Sequence, residues 1–262
     1  MHPLLNLAIN SARKAGHMIR KANEKTFKVY EKAPNNFYTD IDLQAEQIIL
    51  DTIKEARPND YFITEESGEF GNPEAEMTWI IDPIDGTTNF IHGLPQICVS
   101  IALQYRGKTE IGVIYNPNSD ELFTASRGHG ARLNDKKLRV ATRQNWPGSV
   151  FSTSLKYDKN RMKETYIAQL MTLHRRIAGF RYSGSLALDL CYVAAGKLDG
   201  LWTATPCKIW DIAAGYLIVK EAGGVVTDLQ GNPANLTDGQ LIAANPKMAH
   251  RLNQLLAPHL IQ

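Results

Sequence analysis

Asp82 and Asp85 stand three residues apart in the run DPIDGTTN at residues 82–89, which follows an apolar segment at residues 77–81. The apolar segment predicts a buried strand, and Pro83 cannot continue a strand ladder, so we expect the chain to turn there. The small and hydroxyl residues after Asp85 are typical of a helix N-terminus. Two carboxylates and several backbone N–H groups would then meet at one point. Carboxylate oxygens suit a hard divalent cation and N–H groups suit a phosphate, which indicates metal-assisted phosphate chemistry.

Two carboxylates alone are weak evidence, because Asp-Pro and Asp-Gly are common in turns. Three further acids follow a predicted strand or lie at the start of a predicted helix. Glu65 closes the apolar segment at residues 61–64, Asp211 begins an apolar helix, and Asp42 lies in the first turns of a helix at residues 39–56. Taken singly, an N-cap role for Asp211 and a helix-dipole role for Asp42 explain these acids as well as metal binding does. Taken together, the acids favour a shared site.

Hydrophobic periodicity around these acids predicts a layered α/β architecture. Helical spacing of apolar residues predicts helices at residues 4–21, 39–56, 159–172, 185–195, 209–222 and 246–256. Strand patterns lie at residues 61–64, 77–81 and 150–153, in an antiparallel meander at residues 98–125, and near Ile177, Leu198, Val225 and Leu241. A stretch rich in Gly, Pro and Glu at residues 67–76 predicts a solvated, mobile loop. The polar stretch at residues 142–148 would divide a single catalytic domain, residues 1–262, into an α+β half (1–145) and an α/β half (146–262).

The composition is that of an ordinary globular protein, with 44% hydrophobic and 21% charged residues among 262. A net charge of +2 gives no bulk attraction to nucleic acid or to an anionic membrane. The chain has no run of about 18 apolar residues, and residues 1–20 lack the continuous apolar core of a secretory signal. Cys98, Cys191 and Cys207 form no Cys-x-x-Cys pair and are expected to be buried core residues. We therefore expect a cytoplasmic protein without membrane contact.

Two long motifs resemble the signatures of one enzyme family. The run DPIDGTTNF at residues 82–90 is similar to the first signature of the inositol monophosphatase family, and WDIAAG at residues 210–215 is similar to its second. Shorter matches occur in the family's order, and they comprise Thr39-x-x-Asp42, TEES at residues 64–67, GxGAxxN at 128–134, GSxALD at 184–189 and EAGG at 221–224. The overall resemblance is to the bacterial, SuhB-type branch of the family.

This resemblance implies that carboxylates hold two or three magnesium ions. Glu65, Asp82 and the carbonyl of Ile84 would hold one ion, and Asp82, Asp85 and Asp211 would hold a second. A third, looser ion would lie near Glu65. Glu65 is therefore expected both as a metal ligand and as a catalytic residue.

The resemblance also implies which groups act on the phosphate. Thr87, paired with Asp42, would orient the attacking water and help to deprotonate it, and the backbone of Gly86 and Thr87 would hold phosphate oxygens. The expected substrate-side residues further include Gly184, Ser185, Asp85 and Asp211. At the level of the whole chain, the family implies an αβαβα five-layer sandwich of the inositol monophosphatase and fructose-1,6-bisphosphatase type, a homodimer and inhibition by lithium.

One part of the chain departs from the family pattern. Bacterial and animal members carry a glutamate seven residues before the aspartate of the second signature, where it accepts hydrogen bonds from sugar or inositol hydroxyls. That position is Ala204 here, or Thr203 if the segment holds one extra residue, and Ile209 replaces a usual proline. We therefore hypothesise that inositol phosphate is not the preferred substrate. The alternative is that Ser185 or Thr203 supplies the missing contact.

Two groups of functions stay open at this point. The first is hydrolysis of a small phosphate monoester, with inositol 1-phosphate, a sugar bisphosphate, a nucleotide 3′-phosphate or histidinol phosphate as the substrate. The second is binding to the transcription machinery, through a transcription factor or RNA polymerase. The near-neutral charge argues against direct RNA binding as the main role, and the complete set of acids argues for catalysis.

Overall fold

A computed structural model of the chain describes residues 3–22, 26–154, 162–203, 205–237 and 239–259. Its α-helices are α1 (Pro3–Ala22), α2 (Asp40–Ala56), α3 (Thr87–Ile91), α4 (Met162–His174), α5 (Leu186–Ala194), α6 (Ile209–Glu221) and α7 (Pro246–Leu256). A 3₁₀ turn follows at Ala257–His259. Among the described residues, no helix is both long enough and apolar enough to span a membrane.

The strands of the first half form a two-stranded and an eight-stranded sheet. They are β1 (Val29–Ala33), β2 (Asn36–Thr39), β3 (Tyr61–Thr64), β4 (Gly68–Gly71), β5 (Met77–Asp85), β6 (Cys98–Tyr105), β7 (Lys108–Asn116), β8 (Glu121–Ser126), β9 (Ala131–Leu133) and β10 (Lys136–Lys137). β1 pairs with β2, and the large sheet has the order β10-β9-β8-β7-β6-β5-β3-β4. The predicted meander is confirmed as the antiparallel run β6-β7-β8.

The second half forms a mixed five-stranded sheet. Its strands are β11 (Val150–Ser154), β12 (Gly179–Arg181), β13 (Gly200–Thr203), β14 (Val225–Thr227) and β15 (Ile242–Ala244), in the order β12-β11-β13-β15-β14. The strands predicted near Ile177, Leu198, Val225 and Leu241 are confirmed, and they begin at most two residues after those positions. The division into halves at residues 142–148 stays a prediction, although the eight-stranded sheet ends before that stretch and the five-stranded sheet begins after it.

Three apolar clusters hold these elements in five layers, which confirms the predicted αβαβα sandwich. α1 and α2 cover one face of the eight-stranded sheet, where Trp79 and Ile81 of β5 are fully buried. α5 and α6 lie between the two sheets, and Ile80, whose side chain points to the opposite face of β5, packs in that central cluster. A third cluster, which includes Trp202 of β13, joins the outer face of the five-stranded sheet to α4 and α7.

β5 continues through Pro83 instead of ending there, so the predicted turn after Asp82 is wrong. Asp82 pairs with Ser100 and Asp85 pairs with Cys98, so three steps along β5 correspond to two steps along β6. The extra residue on β5 forms a β-bulge, where a proline is tolerated although it has no N–H group to donate. Residues three apart on a regular strand point to opposite faces. At the bulge, Asp82 and Asp85 instead point to the same face of the sheet, because their partners on β6 are two residues apart.

Other predictions need smaller corrections. The stretch at residues 67–76 is not all loop, since Gly68–Gly71 pairs with β3 as strand β4. The hairpin of β1 and β2 was not predicted from the sequence. α4 begins at Met162 and ends at His174, and residues 159–161 of its predicted span lie outside the described residues. Cys98, Cys191 and Cys207 are buried and form no disulfide, as predicted.

Candidate active site

Asp82, Asp85 and Asp211 form a carboxylate cluster between β5 and α6. Each offers one oxygen, and these oxygens lie within 4.8 Å of one another. Asp82 is 1% exposed, and its Oδ1 atom makes no hydrogen bond within the described residues. Burial, together with the nearby charges of Glu65, Asp85 and Asp211, raises the pKa of Asp82 well above its ordinary value. A nearby cation would stabilise the ionised form of such a buried acid.

Asp85 is held in place by the start of α5. Its Oδ2 atom accepts hydrogen bonds from the Ser185 hydroxyl and from the Ala187 backbone N–H, both at 2.7 Å. Ser185 is also the N-cap of α5, since its Oγ atom accepts from the backbone N–H of Leu188 at 3.4 Å. The carboxylate therefore lies at the positive end of the helix dipole, which stabilises its charge. This contact joins the first signature to the expected substrate-side helix.

Asp211 lies inside the first turn of α6 and is not its N-cap. The N-cap is Lys208, whose backbone N–H donates to Asp211 Oδ2 at 3.2 Å. The side chain is 4% exposed. The capping alternative is thus partly correct, because one oxygen of Asp211 does accept a backbone hydrogen bond at the helix start. The same carboxylate also belongs to the cluster with Asp82.

Asp42 and Thr87 form a pair between α2 and α3. The Thr87 hydroxyl lies 3.0 Å from Asp42 Oδ1 and 3.2 Å from the carbonyl of Ile84. Asp42 Oδ2 accepts from the Thr39 N–H at 2.8 Å, so Asp42 completes a capping box at the start of α2. Burial raises the pKa of Asp42 to about 6, against the opposing effect of hydrogen bonds from Thr39 and Thr87. An acid with this pKa accepts a proton more readily than an ordinary aspartate.

Two glycines at the site cannot be replaced without strain. Gly86 precedes α3 with φ of 101°, and a Cβ atom there would lie 2.8 Å from the carbonyl oxygen of Gln96. Gly184 has φ of 81°, and its Cβ would lie 2.8 Å from Asn89 Nδ2. That same Asn89 amide donates to the carbonyls of Gln96 and Ser183, at 2.7 and 2.8 Å. Asn89 thereby fixes the loop before α5 against α3.

Glu65 closes β3 next to Asp82 and contacts the hairpin of β1 and β2. Lys32 of that hairpin lies 3.3 Å from Glu65 Oε1 and 2.6 Å from Glu66 Oε1. Burial disfavours the charge of Lys32, but the two carboxylates outweigh this effect and raise its pKa. The hairpin therefore brings a cation to the edge of the carboxylate cluster.

A cavity of about 100 Å³ adjoins the cluster. It is lined by Asp85, Gly184, Ser185 and Asp211 of the predicted site, and by Thr153, Ser154, Tyr182, Leu186 and Asp189. Thr203, one candidate for the missing glutamate, is fully buried, and its hydroxyl accepts from the Leu241 N–H at 2.8 Å. Ala204, the other candidate, lies outside the described residues. Thr203 is thus directed into the core and does not line this cavity.

Sequence reasoning missed several residues that this geometry includes. No sequence pattern indicated Lys32, because it lies 33 positions from Glu65 along the chain and the hairpin of β1 and β2 brings the two together. Asn89 lies inside the first signature but was assigned no role. Glu46 follows Asp42 by one helical turn on the same face of α2, a spacing that could have identified it. Asp189 lies inside the matched GSxALD motif and faces the cavity.

Comparisons with known proteins show the family and the fold of the chain. The sequence model of the inositol monophosphatase family matches residues 1–260 of the chain. The chain belongs to the inositol monophosphatase family. Among the family's proteins, the Nus factor SuhB of Pasteurella multocida is 44% identical over 260 residues, which cover 98% of this chain and 97% of that protein.

Solved structures of the same family share the fold. The crystal structure of the extragenic suppressor protein suhB from Bartonella henselae has a TM-score of 0.93 at 40% identity, over 97% of this chain and 98% of that one. An IMPase of Thermotoga maritima has a TM-score of 0.90 at 32% identity, over 98% of each chain. The fold is therefore that of an inositol monophosphatase.

The residues present fit a bound cation. The carboxylates of Asp82, Asp85 and Asp211 supply oxygen ligands, which hard divalent ions prefer, and Asp82 Oδ1 has no hydrogen-bond partner within the described residues. A positive ion would offset the burial and the neighbouring negative charges that together raise the pKa of Asp82. The cluster could thus hold a metal ion.

Proposed function

We propose that this protein is a Mg²⁺-dependent phosphatase that hydrolyses a small phosphate monoester. The observation that carries the proposal is the cluster of Asp82, Asp85 and Asp211, whose carboxylates each offer one oxygen within 4.8 Å of the others, together with an Asp82 Oδ1 atom that has no hydrogen-bond partner within the described residues. When bound, Mg²⁺ would neutralise phosphate charge and make water at the site more acidic. Membership of a phosphatase family and the cavity that adjoins the cluster support this reading.

The proposed ligand sets follow the positions of the acids. Glu65, Asp82 and the Ile84 carbonyl would hold one ion, and Asp82, Asp85 and Asp211 would hold a second. Glu65 would also approach a third, looser ion. The start of α5 supports this assignment for Asp85, because Ser185 and Ala187 both donate to Oδ2 and so fix the orientation of the carboxylate.

Thr87 and Asp42 are proposed to orient and deprotonate the attacking water. When the Thr87 hydroxyl donates to Asp42 Oδ1, the lone pairs of Oγ1 are available to accept a hydrogen bond from water. As the water attacks, its proton passes to Thr87 while the Thr87 proton passes to Asp42. The raised pKa of Asp42, about 6, suits an acceptor near neutral pH.

The phosphate would lie at the start of α3 and α5. Backbone N–H groups of Gly86 and Thr87 are proposed to bind its oxygens, with Gly184 and Ser185 on the side of the departing alcohol. Glycine is required at position 86 for this turn, because a Cβ atom there would lie 2.8 Å from the Gln96 carbonyl oxygen.

A phosphate-release assay on a panel of monoesters tests the reaction. The protein should release inorganic phosphate with Mg²⁺ and should stop when EDTA is added. Asp85→Asn should abolish turnover, whereas Asp51→Asn, an exposed aspartate of α2, should retain it. Release that persists in EDTA or in Asp85→Asn would contradict the proposal, and so would a protein that hydrolyses no member of the panel.

We further propose that myo-inositol 1-phosphate is not the preferred substrate. Thr203 cannot replace the missing glutamate, because its hydroxyl is buried and bonded to Leu241. A lost acceptor for a substrate hydroxyl weakens binding by about 1.5–3 kcal/mol when the bond was to a charged group. Steady-state kinetics on inositol, sugar, nucleotide and histidinol phosphates decide the point. A clear kcat/KM preference for myo-inositol 1-phosphate would exclude this hypothesis.

A second candidate function is binding to the transcription machinery. It is favoured by relatives that carry the name Nus factor SuhB at 44% identity over nearly the whole chain. Such binding would use the surface and should survive Asp85→Asn, which removes catalysis. Affinity measurements with RNA polymerase and its elongation factors, on the wild type and this variant, distinguish the two functions. Absence of binding by both proteins would exclude the partner role.

We propose three further properties, each with its test. A homodimer predicts a light-scattering mass of twice the chain mass at micromolar concentration. Lithium should inhibit phosphate release at a fixed Mg²⁺ concentration. A cytoplasmic location predicts that the protein appears in the soluble cell fraction and not in the periplasmic or membrane fraction.

A further inference from the structure

Glu46 of α2 is a buried carboxylate that the proposed mechanism does not use. It is 2% exposed and lies one helical turn after Asp42. Its Oε2 atom accepts the backbone N–H of Glu66 at 3.0 Å, and its Oε1 atom accepts the N–H of Ser67 at 2.9 Å. Both oxygens are thus bonded to one short turn, the turn between β3 and β4.

That turn begins at Glu65, the expected metal ligand next to Asp82. The Glu65 N–H donates to the Ile81 carbonyl at 3.2 Å, which holds the start of the turn against β5. Beyond Glu65, the two N–H groups that follow are bonded to the Glu46 side chain. We infer that Glu46 is a positioning residue, which fixes the β3–β4 turn so that the Glu65 carboxylate reaches the Asp82 side of the site. This inference rests on the proposed function of Glu65 as a metal ligand.

The chemistry of the contact supports this role. Hydrogen bonds from backbone N–H groups to an ionised carboxylate are about twice as strong as bonds between neutral groups. Two of them on adjacent N–H groups define both the position and the tilt of the turn. α2 therefore presents two acids on one face: Asp42 contacts Thr87, and Glu46 contacts the chain just after Glu65. A single helix sets the distance between the proposed base and the proposed ligand.

Three substitutions separate positioning from packing. Glu46→Gln keeps the shape but directs an NH₂ group at one of the two N–H donors, so one bond is lost and one is kept. Glu46→Asp keeps the charge but is one methylene shorter, and Glu46→Ala removes both bonds. Glu55→Gln, an exposed glutamate later on the same helix, is the matched control.

The first readout is amide hydrogen exchange at Glu66 and Ser67 in the metal-free protein. Exchange at these two amides should accelerate in Glu46→Gln, while amides of the central strand β5 and the melting temperature change little. The second is Mn²⁺ binding, measured by electron paramagnetic resonance. Loss of a residue that orients a metal ligand typically weakens metal binding by about 10- to 100-fold. We expect Glu46→Gln to weaken Mn²⁺ binding by a factor in this range. Glu55→Gln should match the wild type in both readouts.

The inference would be overturned if the Glu46→Gln variant had the wild-type rate of amide exchange at Glu66 and Ser67 and the wild-type affinity for Mn²⁺. If Glu46→Ala fails to fold, Glu46→Gln and Glu46→Asp still decide it. A wild-type protein that neither binds Mn²⁺ nor releases phosphate would instead refute the proposed function. The two failures are distinguishable, because the first leaves wild-type activity intact. A merely structural role for Glu46 predicts a lower melting temperature with unchanged Mn²⁺ affinity.

Discussion

Replacing Asp82 with asparagine should have opposite effects in the absence and presence of a divalent cation. The Asp82 carboxyl is buried, and one of its oxygens has no hydrogen-bond partner within the described residues. Without a cation, its charge lies beside those of Asp85 and Asp211, so a neutral amide removes a repulsion. With a cation, the same charge is a proposed ligand, so the variant loses the stabilisation that binding provides.

The structure sets the size of both effects. Two unit charges at the 4.8 Å limit of the cluster repel by about 3.5 kcal/mol at an effective dielectric constant of about 20. Burial and these neighbouring charges raise the pKa of Asp82, so a carboxyl that keeps its proton relieves part of the cost in the metal-free wild type. We therefore expect metal-free Asp82→Asn to exceed the wild type in unfolding free energy by on the order of 1–2 kcal/mol. A cation at about 100 times its dissociation constant stabilises the folded state by about 2.7 kcal/mol.

Thermal unfolding in EDTA and in excess Mg²⁺ measures these effects. The wild-type melting temperature should rise by about 5–10 °C on adding Mg²⁺. The variant should start higher in EDTA and should gain almost nothing from Mg²⁺. Asp51→Asn, the exposed control on α2, should follow the wild type in both solutions. A variant that keeps the full Mg²⁺-dependent rise, or that is less stable than the wild type in EDTA, would refute this account of the cluster.

Three further substitutions test other parts of the site. Thr87→Val should lower kcat by about 10²–10⁴-fold with little change in KM, because it removes the hydroxyl proposed to accept the water proton; equal kcat would exclude that role. Gly184→Ala should lower the unfolding free energy in urea by about 1–3 kcal/mol, and by more than Gly107→Ala, which has a similar positive φ but open space around it. Burial raises the pKa of Asp189 to about 6, so the folded chain holds a proton that the unfolded chain releases near pH 4. Stability should therefore fall as pH rises from about 4 to 6, and Asp189→Asn in EDTA should remove up to about 3 kcal/mol of that fall; an unchanged pH profile would contradict this.

Much of this fold is predictable because its signals are local. The apolar spacing of α1 and α2, the apolar run before Asp82 and the turn residues of the β6-β7-β8 meander each indicate an element without knowledge of its neighbours. The starts of α5 and α7 were also predictable, since Ser185 and Asn245 are side-chain N-caps. The short strands β4, β9 and β10 were not predicted, because they acquire their form only by pairing with a longer neighbour.

The site was predictable as a list of residues but not as a geometry. The direction of Asp82 relative to Asp85 depends on the bulge at Pro83, which is defined by the register of β5 against β6. Proline in a strand indicates an irregularity but not which kind, and we expected a turn. The contact of Lys32 with Glu65 depends on an exposed hairpin with no alternating apolar pattern. Neither the kind of irregularity at Pro83 nor the contact of Lys32 with Glu65 can be predicted from a short stretch of sequence.

The carboxylate cluster also bears on the choice between the two proposed functions. Asp82 and Asp211 are almost completely buried, and one Asp82 oxygen has no hydrogen-bond partner in the described part of the chain. Leaving a polar oxygen buried and unsatisfied costs about 1–3 kcal/mol, which is a large share of a typical folding free energy. The buried cluster does not contribute to partner binding at the surface, because it lies inside the protein between β5 and α6. Asparagine at position 82 would remove the charge repulsion with Asp85 and Asp211, so a protein that acted only through its surface would be more stable with that residue. The presence of aspartate there therefore favours metal-dependent catalysis as a function of this chain, whether or not it also binds the transcription machinery.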